Sequence, residues 1–229
     1  MVSSQAKMPP PLPRRLRDGL ERIANVLRSD RWRALEKSPL NPTQAQILTF
    51  LLGRESKGAR VNAIAQHIGV SQPTATDSII SLEKKGLAKR HPDPGDRRAV
   101  DVAPTEAGRA LVQEISAHTT ATDRALAALS DAEQRELLGL LVKIIRNLQN
   151  EGTIAPQRMC VTCRYFRPHV YEDARAPHHC AYVNAPFGAE SLRLDCEEHD
   201  ASPAEEQERV WKDYVSGFLV SNDAGPTSP

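Results

Sequence analysis

Aromatic residues are scarce in this chain of 229 residues, at 4% of positions, so a core must come from aliphatic side chains within the 40% that are hydrophobic. No apolar run approaches the roughly 18 residues of a membrane span, and no signal peptide opens the sequence, which predicts a cytoplasmic protein without a membrane partner. Charge of one sign is also missing. A net charge of +1 excludes a global electrostatic pull on nucleic acid, so any basic footprint has to be local. Ser-His-Asp order, a phosphate loop and a dinucleotide glycine pattern are all absent, and no enzyme is expected. The first 159 residues contain no cysteine at all; Cys160, Cys163, Cys180 and Cys196 crowd into one later segment.

The most patterned stretch runs from Val61 to Gly108. A short helix over Asn62 to Ile68 places Ile64, Ala65 and Ile68 on one face, and Gly69 can end it in a left-handed conformation. Ser71 then caps a second helix with Pro73 in its first turn. Ala75, Ile79 and Leu82 recur at i, i+4 and i+7, which leaves Gln72, Thr74, Thr76, Ser81 and Lys84 pointing elsewhere. This is a helix-turn-helix. Gly86 closes it, and Leu87 to Arg90 with Val100 to Val102 read as two strands joined by the polar turn His91 to Arg98, a wing. Lys84, Lys85, Lys89, Arg90, Arg97 and Arg98 supply the local basic footprint.

The order Ser71-Gln72-Pro73-Thr74, Leu82-Glu83-Lys84-Lys85-Gly86-Leu87, Asp96-Arg97-Arg98 and Pro104-Thr105-Glu106-Ala107-Gly108 resembles MarR-type winged-helix regulators, over roughly Leu16 to Asn150. The resemblance implies a homodimer on double-stranded DNA with a pseudo-palindromic operator. In it, the second helix would enter the major groove with Ser71, Gln72, Pro73, Thr74, Thr76, Asp77, Ser81 and Lys84. Arg97 and Arg98 would reach DNA from the wing tip, with Asp96 holding them. Two positions depart from the pattern: Asp77 and Ser81 stand where relatives often carry basic residues. A carboxylate repels phosphates but accepts a hydrogen bond from cytosine N4, so Asp77 either reads a base or faces away.

The predicted architecture is mostly α with a small β wing: a disordered tail at 1–13, a winged-helix and dimerisation domain at 14–150, a cysteine lobe at 151–200, a C-terminal helix at 201–221 and a disordered end at 222–229. Leu16, Leu20, Ile23 and Leu27 line one face of a first helix, Arg14 to Lys37. Asn41-Pro42-Thr43-Gln44 starts another by a capping box. Thr105 caps a long helix carrying Leu111, Ile115, Thr122 and Leu126, and Ser130 to Glu133 caps the next, whose broad stripe of Leu137, Leu138, Leu141, Ile144, Ile145 and Leu148 suggests contact with a second subunit. His67 and His91 read as packing or solvated residues.

Grouped cysteines in a reducing compartment bind metal or do redox chemistry more often than they form disulfides. Cys160-Val161-Thr162-Cys163 is a two-residue-spaced pair, whereas Cys180 and Cys196 stand singly. An iron–sulfur cluster is commonly held by one close pair plus isolated thiolates, while structural zinc sites usually pair ligands on both sides. Cluster, zinc and a metal-free dithiol switch all remain open, with His178, His179 and His199 as alternative ligands or supporting partners. The lobe's few apolar residues suggest that metal supplies its folding free energy. Three functions follow: a redox-, oxygen- or iron-responsive DNA-binding regulator, a repressor with structural zinc relieved by a small-molecule effector, or a redox protein using the cysteine centre.

Overall fold

The computed structural model describes residues 9–54, 58–93 and 100–223, with side chains up to residue 217. Eight α-helices and five short strands are present among these residues. Helix α1 (Leu12–Ala34) begins inside the expected N-terminal tail, because Pro13 pre-sets the backbone of its first turn at no hydrogen-bonding cost. The boundary at residue 13 is corrected accordingly. Helix α2 (Pro42–Leu52) starts with the expected capping box: Asn41 Oδ1 accepts from Gln44 N at 2.9 Å, and Gln44 Oε1 accepts from Asn41 N at 3.3 Å.

Helices α3 (Val61–Ile68) and α4 (Gln72–Lys84) form the helix-turn-helix. Gly69 takes φ +70° between them, and Ser71 Oγ accepts from Thr74 N at 3.3 Å to start α4. Strands β1 (Ala88–Pro92) and β2 (Val100–Pro104) pair antiparallel, with Arg90 opposite Val102, and both run longer than expected from the sequence. Ala59 bridges to Val102 on the other side of β2, and Arg60 clamps the base of the wing through Asp93 at 2.6 Å and Asp101 at 3.0 Å. Leu48, Leu51, Ile64, Ile79, Leu82 and Val102 fill the core that α2, α3, α4 and β2 share.

The single long helix expected after Thr105 is two helices, α5 (Glu106–Ser116) and α6 (Ala121–Ala127). A second cap causes the break. Thr120 Oγ1 accepts from Asp123 N at 3.1 Å, while Asp123 Oδ2 accepts from Thr120 N at 2.8 Å. The buried carboxylate of Asp30 on α1 also accepts from Thr122 N at 2.9 Å and Thr122 Oγ1 at 2.8 Å, fixing α6 across α1. Helix α7 (Asp131–Asn150) follows, started by the capping box at Ser130 and Glu133.

Part of the apolar side of α7 is covered within the chain. Leu138, Val142 and Ile145 pack into a second core with Met159, Val161, Phe166 and Leu192 of the cysteine lobe and Val210 and Tyr214 of α8 (Ala204–Asp223). The lobe is therefore completed by helices on either side of it in sequence. Helix α8 also outruns the boundary placed at residue 221, and residues 224–229 lie outside the described residues. Arg146, buried on α7, ties the two helices together through Gln207 Oε1 at 2.8 Å and Glu208 Oε1 at 3.2 Å. Within the lobe, β3 (Phe166–Arg167), β4 (His178–Cys180) and β5 (Ala185–Phe187) make a small antiparallel sheet. No helix among the described residues is long and apolar enough to cross a membrane.

Candidate functional site

Helix α4 buries Ala75, Ile79 and Leu82 against α2 and α3, which turns the opposite side outward. Ser71, Gln72, Pro73, Thr74, Asp77 and Lys84 are exposed, and Thr76 is half-buried with its hydroxyl donating to Gln72 O at 2.9 Å. Asp77 does not face away from the outward surface. Pro73, Asp77, Ile80 and Lys84 recur at i, i+4, i+7 and i+11 and run down its middle. Ile80, 38% exposed, is an apolar contact point that attention to polar residues passed over. Its signal was available, since an isoleucine opposite the buried stripe has no core to fill.

Three side chains in this region are tied within the fold. Ser81 is half-buried and accepts a hydrogen bond from Gln44 Nε2 of α2 at 3.0 Å, so it secures α4 from behind. Lys85 Nζ is drawn the same way, donating to Gln44 Oε1 at 2.8 Å and Pro39 O at 2.5 Å. Arg90 lies 3.7 Å from Glu83. Lys84 and Lys89 remain as exposed cations beside the helix. Asp96, Arg97 and Arg98 lie outside the described residues, so their assignment rests on the sequence resemblance.

The four cysteines come together. Cys160 and Cys163 flank a 3-10 turn (Cys160–Thr162), Cys180 ends β4, and Cys196 lies in the loop before α8. All four are free thiols, and all line one cavity of about 140 Å³ with Tyr165, Phe166, Tyr182, Phe187, Arg193 and Glu198. Burial pushes the Cys160 thiol up to about 11, against the opposing effect of the Arg193 N–H, which donates to its sulfur at 3.3 Å. Cys196 is also raised, chiefly by burial; its thiol donates to Glu198 Oε2 at 3.5 Å while the Arg193 guanidinium lies 3.6 Å from the sulfur. Burial thus favours the protonated form of both thiols.

None of the three histidines lines this cavity. His178 is buried edge-on to Phe166, and its Nδ1 accepts from His169 N at 3.3 Å. Burial, helped by His169, lowers its pKa to about 4. His179 Nδ1 pairs with the Tyr171 hydroxyl at 2.9 Å, and His199 Nε2 with the Thr162 hydroxyl at 2.9 Å. Among the described residues no group of three or more His, Cys, Asp or Glu side chains is gathered to hold a single metal ion. The thiols surround an open space instead.

A larger cavity of about 400 Å³ lies between α1, α2, α3 and α5, lined by Arg31, Leu35, Thr49, Phe50, His67 and Ile115, with Asp195 of the lobe at its rim. His67 packs on Phe50 with ring centroids 4.4 Å apart, the packing role expected for it.

Residues 38–99 match a protein family described as the MarR family, and they contain the helix-turn-helix and the first strand of the wing. Over these residues the chain is similar to that family. The uncharacterized HTH-type transcriptional regulator YwaE of Bacillus subtilis (strain 168) is 37% identical over 87 residues, 37% of this chain. The chain thus spans about half the length (50%) of that curated relative. Among solved structures, a MarR-family transcriptional regulator from Rhodococcus sp. RHA1 is similar with a TM-score of 0.49 and 22% identity, covering 59% of this chain and 96% of that one. CouR from Rhodococcus jostii RHA1, bound to p-coumaroyl-CoA, has a TM-score of 0.48 and 24% identity over 55% of this chain and 87% of its own. The family match ends at residue 99, before the first cysteine.

Proposed function

We propose that this protein is a homodimeric, sequence-specific DNA-binding transcription regulator whose C-terminal lobe holds an iron–sulfur cluster on Cys160, Cys163, Cys180 and Cys196 and responds to redox state, oxygen or iron. The observation that carries the reading is the convergence of four cysteines, distant in sequence, on one cavity in a chain that also presents a winged helix. Zinc draws thiolates to about 2.3 Å, which closes the sulfurs around a single ion. A cavity of about 140 Å³ is several times the roughly 30 Å³ share of one water, and it suits a cofactor of several atoms. The aromatic wall and the Arg193 donors are of the kind that tune a cluster's potential through solvent exclusion and hydrogen bonds to sulfur.

DNA recognition is assigned to the exposed face of α4 together with the wing, and specificity to the major-groove edges within reach of α4. Dimerisation is assigned to the apolar stripe Leu16, Leu20, Ile23 and Leu27 on α1, each more than 40% exposed; Leu140 and Ile144 of α7 are exposed to a similar degree.

Anaerobic purification followed by an absorbance spectrum and iron, sulfide and zinc analysis tests the cofactor. Operator binding is then compared for the holo protein, the oxidised protein and Cys180→Ser, all verified as folded dimers at one salt concentration. A coupling of about 5- to 150-fold between holo and cluster-free forms is expected, as is typical of linked sites. Equal affinities would retire the sensor reading. A colourless protein with stoichiometric zinc would favour the second reading, a repressor relieved by a small molecule. The cavity of about 400 Å³ between α1, α2, α3 and α5 is the observation that favours it, being within the usual size range of ligand pockets.

A further inference from the structure

Among the described residues the cysteine lobe meets the end of α2 in a set of contacts that neither the helix-turn-helix nor the cysteine cavity requires. Asp195, next to Cys196, reaches across to the C-terminal end of α2. Its Oδ1 accepts from Arg158 Nε at 2.6 Å, and its Oδ2 accepts from Arg54 Nη1 at 3.3 Å. Arg158 Nη2 donates to Gly53 O, the residue closing α2, at 2.6 Å, while Arg158 O accepts from Cys196 N at 3.0 Å. Arg54 in turn donates to Phe50 O at 3.0 Å and stacks its guanidinium 3.5 Å above the Phe50 ring. The main chain of Cys196, the carboxylate of Asp195 and the last turn of α2 therefore form one continuous set of contacts.

From that end α2 runs as a rod of about 16 Å, by the ordinary helical rise. Its other end carries Gln44, which donates to Ser81 and accepts from Lys85 on the recognition helix and its cap. A shift in the Cys196 loop thus has a stiff path to α4 that does not pass through the dimer helices. Such coupling needs a chain of packed and bonded groups with two arrangements, and a ligand on Cys196 is the natural source of the second.

We propose that Asp195 is the coupling residue of this protein: through Arg54 and Arg158 it transmits the state of the cysteine centre to α2 and so to the placement of α4. The inference rests on the sensor reading above. It differs from that reading in naming a path and a residue that touches neither cofactor nor DNA.

The test compares wild type, Asp195→Asn, Asp195→Glu and Arg54→Gln as full-length chains, each as holo and cluster-free protein, for affinity to the same operator at one salt concentration. Iron content, absorbance spectrum and melting temperature are recorded for each. Wild type is expected to show a holo to cluster-free ratio within the usual range of about 5- to 150-fold. Asp195→Asn and Arg54→Gln are expected to keep the cluster and the melting temperature while the ratio falls toward one, and Asp195→Glu to recover part of it. A merely structural carboxylate would move the melting temperature and leave the ratio. A wild-type ratio preserved in both Asp195→Asn and Arg54→Gln overturns the coupling role and leaves the sensor reading standing. Loss of the cluster in both variants also overturns it, by making the clamp part of the lobe's scaffold. A ratio of one in wild type overturns the sensor reading, and this inference with it.

Discussion

Asp77 sits in the middle of the outward side of α4, where a recognition helix meets base edges, and it is the residue least suited to a phosphate-lined groove. If it accepts a hydrogen bond from cytosine N4, Asp77→Ala is expected to relax preference at one base pair per half-site by about 1–3 kcal/mol. A binding-site selection experiment on the two proteins reads this directly; a uniform gain in affinity across all sequences would show that Asp77 only repels. Three histidines act at the same scale on stability. His67, His178 and His199 all have lowered pKa values, each chiefly through burial, with Arg54, His169 and Arg158 respectively adding to it; for His178 the value is about 4. Each is neutral in the fold and takes up a proton on unfolding below about pH 6.5. Stability from these groups is complete above that pH and is lost as pH falls toward their folded values. The melting temperature is therefore expected to drop between pH 7.5 and 5.0, and His67→Gln to lessen the drop. A flat profile would remove the histidines from the account.

Helix starts were legible because a cap is a local device: Asn41 with Gln44, Ser71, Thr105 and Ser130 with Glu133 each accept the main-chain N–H that their spacing promised. The break before Thr120 carried the same signal, with aspartate in place of glutamate three residues on, and the continuing apolar period concealed it. The cysteine convergence was legible from residue type and clustering. The position of His178 away from the cavity was not, because only the sheet register, which sets it opposite Phe187 and against Phe166, turns it into the lobe core. Nor was the clamp at Asp195, which joins residues with no periodic relation. Close approaches of whole elements were equally silent. A side chain at Gly108 of α5 would meet Leu87 O at 2.1 Å, so Gly108→Ala is expected to cost about 1–3 kcal/mol through forced separation of α5 from the start of the wing. Gly69, at φ +70° with open space around it, is the contrasting case, at about 1 kcal/mol from conformation alone. Denaturant midpoints at constant m-value separate the two; equal midpoints would contradict the packing argument.

At the scale of the whole molecule, α1 presents an apolar face that nothing among the described residues covers, and part of the stripe on α7 that pointed to a partner packs against the lobe. In the dimer proposed above, the contact is therefore assigned mainly to α1. Leu20→Glu with Ile23→Glu is expected to shift the sedimenting species from two chains toward one at micromolar concentration. Operator affinity should fall steeply with it, because half-sites about one helical turn apart need two recognition helices held together. A double variant that still sediments as a dimer would place the interface elsewhere.

The second core has a consequence in time. It draws Leu138, Val142 and Ile145 from before the cysteines and Val210 and Tyr214 from after them, so synthesis delivers all four thiols before the helix that closes over their lobe. At about 5–20 residues per second the ribosome takes roughly one to four seconds to pass from Cys196 to Tyr214. Throughout that interval the lobe lacks the residues of α8 that complete its core, so closure of the second core comes last in the order of synthesis.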